Sequence, residues 1–354
     1  FAAKDIIDTH DMPTRYGSPI YRNAQPAADA SCVALARAVG GVLVGKTVTT
    51  EFANLTPGPT RNPLSATTRT PGGSSSGSAA AVAAGMVPLA YGTQTTQSTI
   101  RPASFCGVHG YCPTQGDFRL SGVREAAGSF DRLGLLARGL ADIALFRDVL
   151  LRWRPKPFQA AETPPRIGLC RSHLWETFDP ALQSDIEAAA KRLEAAGAKV
   201  IDVDLPAAFV GLTDAHRTIS AFEFVRNFAF EIDRHWEDIS LRLRLGRIAD
   251  GLACDFDRYR AALAQAEAAR ARLPEIFADV DVLITASAPG EAPHGLESTG
   301  SAAVGALWTP LHLPCVSLPV FKGHDAMPMG LQALGPLGQD NALLAMAAWI
   351  EHKL

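Results

Sequence analysis

A loop rich in glycine and serine runs directly into the most apolar stretch of the chain, and this succession strongly constrains the fold. Residues 71–85 read PGGSSSGSAAAVAAG, and residues 79–91 (AAAVAAGMVPLAY) are almost wholly apolar. A flexible linker would not lead into so buried a segment, and long irregular loops within compact domains are usually functional. We therefore predict a buried helix over 79–84, a strand over 87–91 and a functional loop before them.

Helices and strands alternate along the chain, separated by glycines, which predicts an α/β protein. Residues 31–39 have the apolar spacing of a helix, the pair Gly40-Gly41 ends it, and residues 42–45 (VLVG) resemble a buried strand. Further on, residues 184–187 (SDIE) form a capping box that predicts the start of a helix. A strand over 198–203 is expected to follow it.

We predict a single domain over 1–354 with an inserted helical segment at 205–275 that supplies pocket walls. A long helix over 255–278 is expected to break or kink at Pro274, because proline removes a helical hydrogen bond. The chain opens at Phe1 inside an apolar run, so we expect a longer native chain whose first, helical part precedes this residue.

The composition excludes several classes of function. Lys and Arg number 33 against 36 Asp and Glu, without a basic cluster, so nucleic acid is not an expected partner. No apolar run reaches the roughly 18 residues of a membrane helix, so no membrane association is expected. The six cysteines form no C-x-x-C pair and the nine histidines no H-x-x-x-H pair, so we expect no metal site. Reduced thiols in a cytoplasmic protein are expected.

Two further polar segments are candidates for chemistry beside the glycine-serine loop. Residues 92–107 (GTQTTQSTIRPASFCG) follow a predicted strand, so Ser98 would lie just beyond a strand end, where α/β enzymes hold active groups. Residues 3–9 (AKDIIDT) place Lys4 in an apolar strand, and a desolvated lysine with a near-neutral pKa can act as a base. Taken singly, the glycine-serine loop is as compatible with a flexible turn as with a functional loop, the second segment favours a polar loop, and an isolated lysine favours a surface position.

Together the three segments resemble the amidase signature family, and its malonamidase-like branch most closely. Their order and separations are typical of it, with Ser74 70 residues after Lys4 and Ser98 24 residues after Ser74. The resemblance implies an α/β fold with a mixed, twisted β-sheet covered by helices on both faces. It covers nearly the whole chain, through GKTVTTEFA (45–53), GPTRNP (58–63), CGVHGYCPTQG (106–116), SFDRLG (129–134), DVLITASAPGEAP (281–293), PCVSLP (314–319) and PMGLQ (328–332).

By this resemblance, Ser98 is the nucleophile, Ser74 a bridging serine in a cis peptide, and Lys4 the base. A serine hydroxyl is too weakly acidic to attack an amide unaided. Neutral Lys4 would take a proton from Ser74 while Ser74 takes one from Ser98, and no cofactor is implied. Lys46 is the tempting alternative base, but the family base lies in the K-D-x-x-D-T motif that begins at Lys4, so we interpret Lys46 as structural or surface.

The oxyanion is expected to bind backbone N–H groups of Thr95, Thr96 and Gln97, with Ser98 as a further donor. We also expect Thr93 and Ser76 to hydrogen-bond to the two catalytic serines and hold them in place.

The chain departs from the family at positions 96 and 97, where a Gly-Gly pair usually precedes the nucleophile. Thr96 is β-branched and disfavours a positive φ. Three possibilities stay open: the loop tolerates the change, the pocket is narrowed, or the oxyanion hole is damaged. Cys112 likewise stands where the family usually has a lysine.

Arg101 stands where, in the malonamidase-like branch, an arginine meets a substrate carboxylate. A guanidinium can pair bidentately with a carboxylate. The alternative is a local ion pair with an Asp or Glu. The substrate role implies a small linear amide bearing an acid group, such as a malonamate- or carboxybiuret-like compound.

Two other functions stay open. A catalytically impaired homologue would bind a ligand or a partner through the same pocket, which the Thr96-Gln97 pair motivates. An amidase subunit of a tRNA-dependent amidotransferase would use glutamine as ammonia donor and need partner subunits. The resemblance otherwise implies a homodimer that acts on a small-molecule amide.

Overall fold

Ten short strands form one mixed sheet at the centre of the molecule. The structure is a computed structural model that describes residues 1–354. The strands are β1 (Ala2–Lys4), β2 (Gly45–Thr47), β3 (Leu89–Gln94), β4 (His109–Cys112), β5 (Arg132–Ala137), β6 (Arg166–Leu169), β7 (Lys199–Asp202), β8 (Val282–Ala286), β9 (Cys315–Lys322) and β10 (Pro328–Leu334).

The sheet has the order β2-β1-β3-β5-β4-β9-β10-β8-β6-β7. Its two ends are parallel, because β1 pairs in parallel with β2 and β3, and β6 with β7 and β8. Its centre is antiparallel from β3 through β5, β4, β9 and β10 to β8. Every residue of β3, β5 and β8 is buried, so both faces of the sheet are covered there. The mixed α/β fold predicted from the sequence is confirmed.

Thirteen helices, several of them very short, surround the sheet. They are α1 (Ser31–Ala38), α2 (Ser76–Ala83), α3 (Ile100–Cys106), α4 (Leu140–Leu150), α5 (Pro180–Ala195), α6 (Leu212–Asn227), α7 (Ala229–Arg234), α8 (Leu241–Leu243), α9 (Ala249–Leu252), α10 (Phe256–Ala271), α11 (Leu273–Ile276), α12 (Ala303–Trp308) and α13 (Asp340–Lys353). A π-helical segment, Arg244–Ile248, joins α8 to α9. None of these helices combines the length and apolarity needed to cross a bilayer.

Helices α2 and α3 position the site, because each directly follows a polar loop. Helix α2 also packs on β1 and β3, the strands that carry Lys4 and Thr93. Helix α2 lies against β1, β2, β3 and β5, and α3 lies against β4, β9 and β10. The alanines of α2 allow this close approach: Ala79 is fully buried and Ala80 is 8% exposed. The segment 205–275, expected to be helical, contains α6 to α10.

Three local predictions differ from the structure. The capping box at 184–187 does not start a helix, because α5 already begins at Pro180, where the Asp179 side chain accepts a hydrogen bond from the Ala181 N–H at 2.8 Å. Residues 42–44 are not a buried strand: Val42 and Val44 are 71% and 67% exposed, and pairing starts at Gly45. The strand predicted over 87–91 runs instead from Leu89 to Gln94.

Candidate active site

Lys4 ends strand β1 and is completely buried. Its Nζ donates to the Ser74 Oγ at 2.6 Å and to the Thr93 Oγ1 at 2.7 Å. Both partners are neutral hydroxyls, and no carboxylate forms an ion pair with this lysine. Burial therefore lowers the pKa of Lys4 to about 7, although the nearby Asp131 carboxylate favours the charged form. At neutral pH a substantial fraction of the Lys4 side chain is therefore uncharged, and only an uncharged amine can accept a proton.

The loop that carries Ser74 is bound tightly to strand β3. The Gly73–Ser74 peptide bond is cis. Ser75 makes a reciprocal pair with Thr93: its Oγ accepts from the Thr93 N–H and donates to the Thr93 carbonyl, both at 3.2 Å. The Ser75 N–H also donates to the Ser98 carbonyl at 3.2 Å. Ser75 thus joins the loop, the strand and the residue predicted to be the nucleophile.

The supporting roles expected for Ser76 and Thr93 are not the ones observed. The Ser76 Oγ donates to the Val48 carbonyl at 3.2 Å and hydrogen-bonds to neither Ser74 nor Ser98. The Thr93 hydroxyl accepts from Lys4, and the Thr93 backbone bonds to Ser75, so Thr93 hydrogen-bonds to neither Ser74 nor Ser98. Three consecutive serines offer no local signal as to which one faces the site, because that depends on where α2 begins. The helix begins at Ser76, which leaves Ser74 and Ser75 in the loop.

Ser98 lies at the end of the loop that joins β3 to α3 and is 8% exposed. The turn is fixed by Gln94, whose Oε1 accepts from the Thr99 and Ile100 N–H groups, each at 3.1 Å. Ser98 and Ser74 line the same cavity. The Ser98 hydroxyl makes no hydrogen bond within the chain, so only Lys4 and Ser74 of the predicted relay are directly bonded. Catalytic hydrogen bonds are often long in ligand-free structures and tighten with substrate.

Residues 95–98 form what we call the oxyanion loop. None of its four backbone N–H groups donates a hydrogen bond within the chain. Its carbonyls are held instead: that of Thr95 accepts from the His216 Nε2 at 2.8 Å, and that of Thr96 from the Thr309 Oγ1 at 2.6 Å. Free N–H groups on a loop fixed through its carbonyls are the arrangement that binds a developing oxyanion.

The Thr96-Gln97 pair fits this loop without a left-handed backbone, since neither residue has a positive φ. The Gln97 side chain is buried, and its Nε2 donates to the Ser287 carbonyl at 2.5 Å. The backbone difficulty anticipated for β-branched Thr96 is therefore absent.

Asp131 is a buried carboxylate beneath the oxyanion loop. It accepts hydrogen bonds from the Thr95 hydroxyl and from the Ala126 and Ala127 N–H groups, the latter two at 2.6 and 2.8 Å. Burial raises the pKa of Asp131 to about 7, against the lowering effect of these donors. Asp131 thus holds the Thr95 side chain in place, a role that was not predicted from the sequence.

A cavity of about 460 Å³ is lined by Ser74 and by the whole oxyanion loop, including Ser98. Its far wall comes from α6 and the π-helical segment. Its lining is strongly basic: Asp214 is the only acidic residue, against the arginines Arg101, Arg217, Arg242 and Arg247. Arg217 is already paired with Asp250, at 2.9 Å for both contacts. The cavity therefore favours an anionic ligand.

Arg101 has no local Asp or Glu partner, so the alternative of a local ion pair does not hold. Its guanidinium donates to the carbonyls of Gly300 and Gly73 at 2.5 and 2.6 Å, and to the Thr299 Oγ1 at 3.1 Å. Burial lowers the pKa of Arg101 to about 10. Much of its donor capacity is thus used in bracing the loop before Ser74.

Arg247 was not identified from the sequence, where it is one of several arginines in a variable helical segment. It lies in the π-helical segment, a feature often found at functional sites. Its guanidinium donates to the Ser220 hydroxyl and forms no ion pair. Burial lowers the pKa of Arg247 to about 10, and the guanidinium stays charged at neutral pH. Arg242 likewise makes one hydrogen bond and no ion pair, but it is exposed, whereas Arg247 is partly buried in the cavity wall.

Lys46 is structural, as interpreted from the sequence. Its Nζ lies 3.0 Å from the Asp5 Oδ1 and donates to the Thr14 hydroxyl at 2.9 Å. It is in register with Ala3 on the neighbouring strand and does not line the cavity.

Comparison with known proteins agrees with this geometry. The family model described as Amidase matches residues 1–344. Curated relatives include a glutamyl-tRNA(Gln) amidotransferase subunit from Koribacter versatilis, 31% identical over 100% of this chain and 84% of that protein. The corresponding subunit from Thermus thermophilus is 32% identical over 99% of this chain and 83% of that protein.

Solved structures agree as well. A crystal structure of an amidase superposes with a TM-score of 0.91 at 30% identity, covering 100% of this chain and 84% of the other. An inhibitor-bound vestigial complex related to the evolutionary origins of an s-triazine catabolic enzyme gives 0.88 at 28% identity, covering 100% and 83%. The chain therefore belongs to the amidase signature family and is an amidohydrolase, an enzyme that acts on the carbon–nitrogen bonds of amides.

Proposed function

We propose that this protein hydrolyses a small linear carboxamide bearing a carboxylate, through an acyl-enzyme on Ser98. The observation that carries the proposal is the contact of 2.6 Å between the Lys4 Nζ and the Ser74 Oγ inside a fully buried environment. A buried lysine without a carboxylate partner can act as a base at neutral pH, and its hydrogen-bond partner Ser74 lines the same cavity as Ser98.

The steps follow from these groups. Ser98 Oγ attacks the amide carbonyl carbon while its proton passes to Ser74, whose own proton passes to Lys4. The carbonyl oxygen becomes an oxyanion that accepts from the free N–H groups of the oxyanion loop. The proton returns through Ser74 to the amide nitrogen, the carbon–nitrogen bond breaks and ammonia leaves. Water then attacks the ester, again with Lys4 and Ser74 as the proton relay.

The acid group of the substrate is inferred from the cavity's charge. Arg247 is our first candidate for the carboxylate donor, because it has no anionic partner, is less exposed than Arg242, and sits on the wall formed by α6 and the π-helical segment. Arg101 remains a second candidate, with fewer free donors. A carboxylate bound to a guanidinium in a partly desolvated site gains a charge-assisted hydrogen bond.

The test is ammonia release from malonamate, succinamate, glutamine and neutral propionamide, comparing the wild-type protein with Ser98→Ala. We expect turnover of at least one acidic amide, little turnover of propionamide, and loss of activity in the variant. Turnover that survives Ser98→Ala would exclude Ser98 as the nucleophile. Absence of any turnover by folded protein would favour the impaired homologue, a ligand- or partner-binding protein.

A second candidate is the amidase subunit of a tRNA-dependent amidotransferase, which the names of the curated relatives favour. Glutamine also combines a carboxylate with a carboxamide, so the same cavity chemistry would serve it. Purification of the tagged chain from its source cells separates the two: further subunits in stoichiometric amount would support the amidotransferase. A homodimer, the assembly implied by the family resemblance, would support the free-standing amidase.

A further inference from the structure

One ring nitrogen of His216 makes a hydrogen bond within the chain, and the other makes none. Its Nε2 lies 2.8 Å from the Thr95 carbonyl oxygen, and its ring stacks on Phe130 with centroids 4.8 Å apart. A carbonyl oxygen can only accept, so the Nε2 carries the proton. Burial lowers the pKa of His216 to about 3, and the nearby Arg247 charge acts in the same direction. The ring is therefore neutral, and its Nδ1 holds an unprotonated lone pair.

The Nδ1 makes no hydrogen bond within the chain. It is not fully enclosed by protein atoms, so it remains accessible to a small molecule. His216 lines the active-site cavity. An acceptor that is left open in a cavity otherwise rich in cationic donors is available to an N–H group of a ligand.

The position of this acceptor along the cavity is defined by its neighbours. Through Nε2, His216 contacts the oxyanion loop, where the scissile carbonyl is expected to bind. Ser220 follows it by one helical turn on α6, on the same face, and accepts a hydrogen bond from Arg247. The part of the substrate that joins the carbonyl to a carboxylate on Arg247 would therefore pass beside His216.

We propose that His216 is a specificity-determining residue that accepts a hydrogen bond from an N–H group between the scissile carbonyl and the substrate carboxylate. The substrate class is then a ureido or related acid in which nitrogen, rather than a methylene, follows the carbonyl. This inference rests on the proposed function, since it takes the oxyanion loop and Arg247 as the two ends of the bound substrate. A methylene at this place leaves the acceptor without a partner, which disfavours that analogue.

The test uses two isosteric ligands, N-carbamoylglycine and succinamate, which differ only by N–H in place of CH₂ beside the amide carbonyl. Binding is measured by calorimetry to the Ser98→Ala protein, so that neither ligand is consumed. We expect N-carbamoylglycine to bind about three- to tenfold more tightly, the range for one neutral hydrogen bond. Equal affinities would overturn the inference while leaving the acidic-amide function intact. If neither ligand binds, the proposed function fails and the inference with it.

Two variants of the Ser98→Ala protein assign the preference to His216. His216→Phe keeps a ring to stack on Phe130 but has no acceptor, and should bind both ligands equally. His216→Asn can place its amide oxygen near the former Nδ1, and should retain the preference. A preference that persists in the folded Phe variant would overturn the inference.

A further readout requires no change at position 216. In ¹⁵N-histidine-labelled Ser98→Ala protein, the unprotonated Nδ1 resonance of His216 should move upfield with N-carbamoylglycine and not with succinamate. An identical response to the two ligands would count against the proposed hydrogen bond. In protein with Ser98 intact, His216→Asn should lower kcat more than it raises KM, because it loses the bond to Thr95 that positions the oxyanion loop.

Discussion

Gly305 lies so close to Thr96 that a side chain at position 305 requires the two segments to move apart. A Cβ atom at position 305 would lie 2.3 Å from the Thr96 carbonyl oxygen and 2.4 Å from the Gln97 Cβ. Helix α12 therefore packs directly on the oxyanion loop, at the two positions where this chain lacks the family's glycines. In this chain the small residue at the contact is Gly305 of α12, and the larger residues are Thr96 and Gln97 of the oxyanion loop.

Gly305→Ala should displace the oxyanion loop and lower kcat by at least about tenfold, since losing one oxyanion donor costs roughly 10²–10³ in rate. Steady-state kinetics on the best amide of the panel would measure it. Gly139→Ala is the matched control, because a Cβ at that position meets nothing within 4 Å. Equal kinetics for the two variants would show that the loop can move without loss of function.

Gln97→Gly should restore a family-like residue without improving the enzyme. The change removes the hydrogen bond from Nε2 to the Ser287 carbonyl and empties a buried volume. We expect a loss of about 1–3 kcal/mol in the free energy of unfolding, because that carbonyl is left unpaired. Denaturant titration and kcat check both parts. A rise in kcat would instead identify Gln97 as a lesion in the oxyanion hole.

Lys4→Met should abolish most of the activity and leave the fold intact. Methionine has a similar length and no charge to bury, while a positioned general base contributes about 10²–10⁴ in rate. Lys46→Met is the control: it loses the ion pair with Asp5, so its stability should fall slightly, but its kcat should stay close to wild type. Circular dichroism verifies folding in both. An inactive Lys46 variant together with an active Lys4 variant would reverse the assignment of the base.

The rate and the stability should both depend on pH through Lys4. Its pKa is lowered from 10.5 to about 7 in the folded chain, so kcat/KM should rise as the pH increases through 7. Between pH 7 and 10.5 the unfolded chain binds a proton that the folded chain has lost. The free energy of unfolding therefore rises with pH across this window, by up to about 1.4 kcal/mol per unit.

The contribution of Lys4 is isolated as the difference in unfolding free energy between the wild type and Lys4→Met at each pH. The difference should move in favour of the wild type as the pH rises from 7 to 10. A difference that does not change with pH would mean that Lys4 has an ordinary pKa and is not a neutral base.

Arg247→Leu should raise KM for acidic amides by about 10- to 100-fold, since a hydrogen bond to a charged group contributes about 1.5–3 kcal/mol. It should leave KM for propionamide nearly unchanged. Arg101→Leu should impair acidic and neutral amides together, because it removes the bonds to Gly73 and Gly300 that brace the loop. KM and kcat on a matched acidic and neutral pair distinguish the two effects. A selective effect of Arg101→Leu alone would make Arg101 the carboxylate ligand.

The parts of the fold that depend on local pattern were predictable. Glycine punctuation and apolar spacing located α1 and α2, and the break that Pro274 causes separates α10 from α11. The failures have a local cause too. The Ser184 capping box is overridden because Asp179 and Pro180 start the same helix one turn earlier.

The sequence alone determined the family and the identity of Lys4, Ser74 and Ser98 as candidates, because each sits in a short motif with a fixed spacing. Only the tertiary structure decided which hydroxyl each group contacts, and that Ser75 rather than Ser76 links the loop to β3. It also brought His216 and Arg247 to the cavity from a segment more than a hundred residues away. The physical reason is that motifs record local backbone geometry, whereas the charge and the open acceptors of a cavity arise from side chains that meet only after the sheet and its helices have packed.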